Sequence, residues 1–286
     1  MRFSLSMAFQ PVDELVPLAL AADRLGYHAL ALPDHVVDLE TLATPYPYTP
    51  DGARRWSSGT PWPDPWVLVG ALAARTERVR FFSSVYVPAL RNPFQVAKSV
   101  GTAAVLSGNR VALGVGIGWC REEFALLEQD FSTRGRRTDE DLALIKQLWT
   151  EGWTEFEGAF RSAPRLTMEP TPAASVPIYV GGLSEVAFAR AARHDGWVGD
   201  IFTVEEAAGH AQRLAELREE RGATGDFSVI VALSDAFLPE QFAEAEARGV
   251  TEVMTMPWAY YHGMEATLEQ KIDGMERFHV DVMSHL

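Results

Sequence analysis

The residues able to do chemistry in this chain are few, and they recur at one kind of place, just after short apolar runs. Asp34-His35 follows the run Tyr27 to Leu32. Imidazole titrates near neutrality, so His35 beside a carboxylate can act as acid and base. By residue type alone it also reads as a packed core histidine or a metal ligand. Arg110-Val-Ala-Leu-Gly-Val-Gly-Ile-Gly-Trp119 carries Gly114, Gly116 and Gly118 at alternate positions. Glycine weakens a strand interior, so three of them point to close approach by a flat group or by another backbone. Plain packing of the fold is an equal alternative. Gly181-Gly182-Leu183-Ser184 stands between a strand pattern and a helix start. Its backbone N–H groups and hydroxyl would suit a phosphate, and a simple tight turn explains it as well. The other residues at such ends are Ser83-Ser84-Val85, Asp200, Asp235 and Trp258 to Tyr261.

Several chemistries are excluded or made remote by residue type. A Schiff-base enzyme needs a lysine at a strand end, but Lys98, Lys146 and Lys271 all fall in helical patterns. Metal hydrolysis needs clustered ligands, and the seven histidines are scattered. Paired-carboxylate glycoside hydrolysis would have to use Asp34, Asp200 and Asp235. Cys120 is the only cysteine, better suited to buried filler than to a nucleophile. No internal disulfide can form, which fits a reducing cytoplasm.

These positions are spaced by alternating strand and helix patterns. Strands are expected at residues 2–9, 27–32, 79–87, 110–119, 177–181, 197–202, 227–233 and 252–257. Each is followed by a segment of helical periodicity or by a loop leading to one. Asp64-Pro65 and Asn92-Pro93-Phe94-Gln95 read as helix starts, with a capping side chain before a proline. Eight such units predict an α/β fold, a (β/α)8 TIM barrel in one domain over residues 1–286, which places the strand-end residues together in the barrel mouth. Two segments break the rhythm. Residues 38–66 are rich in proline and carry Tyr46, Tyr48, Trp56 and Trp62, so they are expected to form a lid over the mouth. Residues 119–173 are expected to be an insertion after strand four, with helices at 121–127 and 138–149 separated by the basic run Arg134 to Arg137.

A net charge of −14 argues against nucleic acid and anionic membranes as partners. The 47% hydrophobic content suits a large core, and no apolar run nears the ~20 residues of a membrane span. A cytoplasmic enzyme acting on a small molecule is expected, and the outer helices leave room for a homodimer.

Together the motifs resemble the bacterial luciferase-like superfamily of flavin and deazaflavin oxidoreductases, over nearly the whole chain. The likeness is carried by Leu32-Pro33-Asp34-His35, Tyr46-Pro47-Tyr48, Pro88 to Pro93, Leu106-Ser-Gly108 and Leu113 to Trp119. It continues through Arg121-Glu-Glu-Phe124, Arg134-Gly-Arg-Arg-Thr138 and Tyr179-Val-Gly-Gly182. It is nearest to the branch dependent on the deazaflavin coenzyme F420. The resemblance implies hydride transfer between F420 and an apolar or aromatic substrate. FMN in a two-component monooxygenase is the alternative, and a non-catalytic binding barrel a more distant one. It implies Asp34 and His35 beside the cofactor ring, with His35 as the catalytic acid or base. A non-proline cis peptide at Ser84-Val85 would back the ring, Gly116, Gly118 and Trp119 would flank it, and Gly181, Gly182 and Ser184 would take the phosphate. Trp119 stands where some deazaflavin enzymes carry an acidic residue, which removes an expected proton donor. Arg121, Arg134, Arg136 and Arg137 are the arginines available to an acidic cofactor tail.

Overall fold

The computed structural model describes residues 1–150 and 152–286. Its strands, in chain order, are β1 (Arg2–Ser6), β2 (Ala29–Leu32), β3 (Arg80–Ser83), β4 (Val111–Val115), β5 (Thr154–Glu157), β6 (Ser162–Leu166), β7 (Ile178–Gly181), β8 (Gly196–Phe202), β9 (Ser228–Leu233) and β10 (Glu252–Thr255). Eight of them close into a parallel barrel in the order β1, β2, β3, β4, β7, β8, β9, β10; β5 and β6 form a separate antiparallel hairpin. The expected (β/α)8 barrel is therefore the observed fold. Parallel neighbours need crossover connections, and helices supply them.

Those helices are α1 (Leu15–Leu25), α2 (Pro65–Ala73), α3 (Pro93–Leu106), α4 (Arg121–Leu126), α5 (Arg134–Leu148), α6 (Glu185–Ala191), α7 (Val204–Glu220), α8 (Pro239–Ala247), α9 (Trp258–Tyr261) and α10 (Leu268–Asp281). Their starts follow local chemistry. Asp64 accepts hydrogen bonds from the Trp66 and Val67 N–H groups ahead of Pro65, and Asn92 accepts one from Phe94 N–H ahead of Pro93. Pro17 falls in the first turn of α1, where a missing N–H costs nothing.

Side chains alternate between two buried layers. Leu30, Leu32, Phe81, Leu113, Val229 and Val231 join the helices in the main core. Ala29, Ala31, Phe82, Ala112, Val198 and Ile230 fill the barrel interior. The interior is thus packed, and chemistry is confined to the ends.

The segment 119–173 is less of an insertion than its sequence suggests. Helix α5 begins at Arg134, so the basic run forms its first turn rather than a separator. Leu142, Leu144, Ile145 and Leu148 of α5 enter the main core. It therefore serves as the barrel's own crossover between β4 and β7. Only α4 and the β5–β6 hairpin are additional.

At the end opposite the mouth, Glu252 opens β10, opposite Arg2 of β1. It is 2% exposed, and its Oε1 has no hydrogen-bond partner among the described residues. Arg2 Nε lies 3.6 Å and His28 Nε2 3.7 Å from its other oxygen, beyond good hydrogen-bond range. Burial pushes its carboxyl up to about 7 against the pull of Arg2. Burial likewise takes His28 down to about 4, so between these values both groups are neutral.

Candidate active site

The mouth is built around the exit of β3. Ser84 N–H still donates to Leu32 O of β2 at 2.6 Å, but Tyr86 N–H donates to Gly114 O and Gly116 N–H to Tyr86 O, both at 2.8 Å. Between these ladders the Ser84–Val85 peptide is cis, as the family resemblance implies. The Ser84 hydroxyl lies 3.7 Å from Met254 Sδ. The Val85 side chain sits between two glycines. A Cβ on Gly116 would stand 2.6 Å from Val85 Cγ2, and one on Gly181 3.0 Å from Val85 Cγ1.

The glycine run meets its neighbours at close range. A Cβ on Gly114 would lie 1.9 Å from the Ser83 carbonyl oxygen, and one on Gly118, at φ +79°, 2.6 Å from the Phe124 ring. All three glycines make room for the barrel's own packing, and Gly116 and Gly181 leave the space that the Val85 side chain occupies.

Asp34 and His35 part company after β2. The Asp34 oxygens accept two hydrogen bonds from Arg91, at 2.7 and 2.8 Å, and one from Val87 N–H at 3.1 Å. Asp34 is buried and ties the end of β2 to the chain that follows the bulge. His35 instead enters a cage of rings: Trp62 at 4.9 Å, Trp56 at 5.2 Å and Trp119 at 6.0 Å between centroids. Tyr46 joins the same cage at 5.2 Å from Trp119 and 5.3 Å from Trp56.

Three of these rings come from the 38–66 segment, an irregular loop packed over the strand ends. It is tied down at both margins. Glu122 accepts hydrogen bonds from Ala43 and Thr44 N–H at 2.8 and 2.9 Å. Across the mouth, Arg55 pairs with both oxygens of Asp200 on β8 at 2.6 and 2.7 Å. Within it, Asp38 accepts from Arg54 and from Gly59 N–H. Tyr46 is largely desolvated, which pushes its phenol up to about 12.

The remaining expected residues have defined places. Ser184 caps α6 by accepting from Ala187 N–H at 3.2 Å, and Gly182, at φ +117°, accepts from Trp197 Nε1 through its carbonyl. Glu185 follows in the first turn of α6 and pairs with Arg213, so this rim already holds a negative charge. Arg137 is buried on the Ala89 carbonyl, and Arg134 donates to Gly118 O. Arg121 and Arg134 sandwich the Phe131 ring, and Arg136 lies over Phe160. Arg134 thus holds α5 to the chain leaving β4, and Arg137 holds it to the chain leaving β3. Asp200 is taken by Arg55 and Asp235 accepts from Val204 N–H, so no free carboxylate pair faces the mouth. Burial raises the Cys120 thiol to about 11, leaving it inert filler. Among the described residues no His, Cys, Asp and Glu cluster could hold a metal, and no helix is long and apolar enough to cross a membrane.

Sequence reasoning missed Glu123. It follows the glycine run by one helical turn, is 3% exposed, and its Oε2 lies 3.3 Å from His35 Nδ1. It sits in the quoted motif Arg121-Glu-Glu-Phe124, but nothing in the spacing says which acid turns inward. The Arg91 and Arg55 pairings were equally out of reach, being contacts over 57 and 145 positions.

Comparison with known proteins places this geometry. An uncharacterised protein of Mycobacterium tuberculosis is 37% identical over 287 residues, covering 99% of both chains. A protein of Segniliparus rotundus named as F420-dependent glucose-6-phosphate dehydrogenase is 32% identical over 200 residues, 68% of this chain and 54% of that one. Among solved structures, monooxygenase RslO1 of Streptomyces bottropensis superposes with TM-score 0.77 at 18% identity, over 100% and 99% of the two chains. The coenzyme F420 dependent tetrahydromethanopterin reductase of Methanopyrus kandleri gives 0.74 at 14%, over 99% of both. The model of the family described as luciferase-like monooxygenase matches residues 2–273, and this chain belongs to that family.

Proposed function

We propose that this protein is an oxidoreductase that uses coenzyme F420 to exchange a hydride with an apolar or aromatic organic substrate. The observation that carries the proposal is the cage at the strand ends: one imidazole, His35, enclosed by Trp56, Trp62 and Trp119. Flat aromatic walls around one acid–base group suit a planar redox ring and a flat substrate. The F420-dependent relatives from Segniliparus rotundus and Nakamurella multipartita, each 32% identical over their matched regions, support the choice of cofactor.

The residues present fit such a ring on one condition. The lid rings stand 4.9–6.4 Å from His35 and from one another, so the lid must lift before a ring enters. Trp62 Nε1 is buried without a partner, a donor left free for a ligand acceptor. Val85 would back the ring, His35 and Trp119 would flank it, and the Gly182–Ser184 turn would meet the phosphate. When bound, the deazaflavin supplies or accepts the hydride. The chain's own part is to exclude water with the lid and to move the accompanying proton at His35. The arginines about the mouth are already engaged, Arg55 with Asp200 and Arg91 with Asp34, which suits an apolar substrate better than a sugar phosphate.

The test is a titration of the purified protein with F420, followed by deazaflavin fluorescence, beside a titration with FMN. Saturable F420 binding that is lost in a variant with bulky lid substitutions is expected. Binding of FMN with no affinity for F420 would overturn the proposal and favour the monooxygenase alternative.

A further inference from the structure

We infer that Glu123 is a positioning residue that holds His35 with its proton on Nδ1, so that Nε2 is the nitrogen presented to the bound molecules. The inference deepens the proposed function and rests on it for its catalytic meaning. Its structural part stands apart from that reading.

Helix α4 starts directly after the glycine run, and its Ncap residue Cys120 makes no side-chain cap. Glu123, in the first turn, sends its carboxylate inward to three consecutive residues. Oε1 accepts from Val36 N–H at 2.6 Å and from Val37 N–H at 3.3 Å, and Oε2 faces His35 Nδ1 at 3.3 Å. A buried carboxylate without donors would cost several kcal/mol, about the scale of any unpaired buried charge. Here three nitrogens face it, the Val36 and Val37 N–H groups and His35 Nδ1, while the nearby Asp34 carboxylate is itself held by Arg91. A carboxylate only accepts, so the imidazole must place a proton on Nδ1, which leaves a lone pair on Nε2. Among the described residues His35 makes no other hydrogen bond, and its ring is otherwise met by indole faces.

The arrangement answers the question raised by Trp119. The acid absent at position 119 is supplied four residues later, from beneath the histidine rather than beside the ring. With a deazaflavin bound to accept the hydride, and with it the two electrons that the substrate loses, His35 Nε2 would take the proton from the substrate's O–H or N–H. Glu123 stabilises the imidazolium that forms, and in the reverse direction Nε2 returns the proton.

The experiment is long-range 1H–15N correlation on protein labelled with 15N-histidine, the His35 signals being assigned by comparison with His35→Gln. At alkaline pH the wild type is expected to show a protonated Nδ1. In Glu123→Gln the amide oxygen can still accept from Val36, but its NH2 must face the ring, so the proton should move to Nε2. Addition of F420 should shift the Nε2 resonance more than Nδ1. With any substrate that turns over, Glu123→Gln should lose about 10²–10⁴ in kcat with KM and F420 affinity within about threefold, the range typical of misplaced acid–base groups. A wild-type protein carrying the proton on Nε2 overturns the inference, and this holds even if the variant fails to fold. So does a Glu123→Gln variant that keeps wild-type kcat. Absence of F420 binding with the expected tautomers would sink the proposed function and leave the positioning role of Glu123 intact.

Discussion

Replacing Glu252 by glutamine should stabilise the protein above about pH 4.5, and most at neutral and alkaline pH. In the folded chain burial raises this carboxyl from the ordinary 4.5 to about 7. Below 4.5 it is protonated in both folded and unfolded states and has no differential effect. As pH rises through that value the unfolded chain releases the proton while the folded chain keeps it, so stability falls. Above 7 both states are ionised and the loss is complete. The displacement corresponds to about 3 kcal/mol, at about 1.4 kcal/mol per pH unit across the window. Glutamine keeps the shape and cannot ionise, so it should escape that loss. The variant should be more stable than wild type by about 1 kcal/mol at pH 5.5 and by about 3 kcal/mol at pH 8. His28, lowered to about 4, works in the opposite sense as pH falls, but it is common to both proteins and drops out of the difference. Urea titrations of both proteins at the two pH values give the comparison. An advantage that does not grow with pH, or a glutamine variant less stable at pH 8, would refute the argument that burial outweighs Arg2 at this site.

Three further outcomes are expected. Arg91→Met should cost about 3–5 kcal/mol, because it leaves Asp34 buried and unpaired, and adding Asp34→Asn should recover part of the loss in a double-mutant cycle followed by urea unfolding. Gly114→Ala would put a methyl 1.9 Å from the Ser83 carbonyl oxygen, so a fall in stability of at least about 1–3 kcal/mol is expected by thermal unfolding, and a neutral result would show that β3 and β4 can part without cost. His35→Ala should keep the fold and F420 binding but lose at least about tenfold in the rate of hydride transfer, measured by the cofactor's absorbance in single turnover. An unchanged rate would return His35 to a packing role.

The barrel was legible because each of its units is local. Alternating apolar runs, proline after a capping residue at Asp64 and Asn92, and glycine after α1 act over a few residues, and so appear in the sequence. The irregular loop at 38–66 was legible for the same reason, since its prolines break helix and strand and its aromatics pack on His35. What went astray depended on distance. The basic run at 134–137 looked like a linker because its charge hides that α5 buries the opposite face. That Val85 and Ser83 approach the glycine run from the neighbouring strand was equally beyond reach, because nothing in the sequence sets that approach.

The sequence by itself determined the eight-fold alternation, the placing of His35 at a strand end and the family to which the motifs belong. These follow from periodicity and residue type along a short stretch of chain. Only the tertiary structure decided that Asp34 serves Arg91, that Arg55 spans the mouth to Asp200, and that Glu123 rather than Asp34 faces the imidazole. Closing the barrel brings positions 35 and 123 together, and the hydrogen-bonding partner of a buried carboxylate is chosen by that closure, not by its neighbours in the chain.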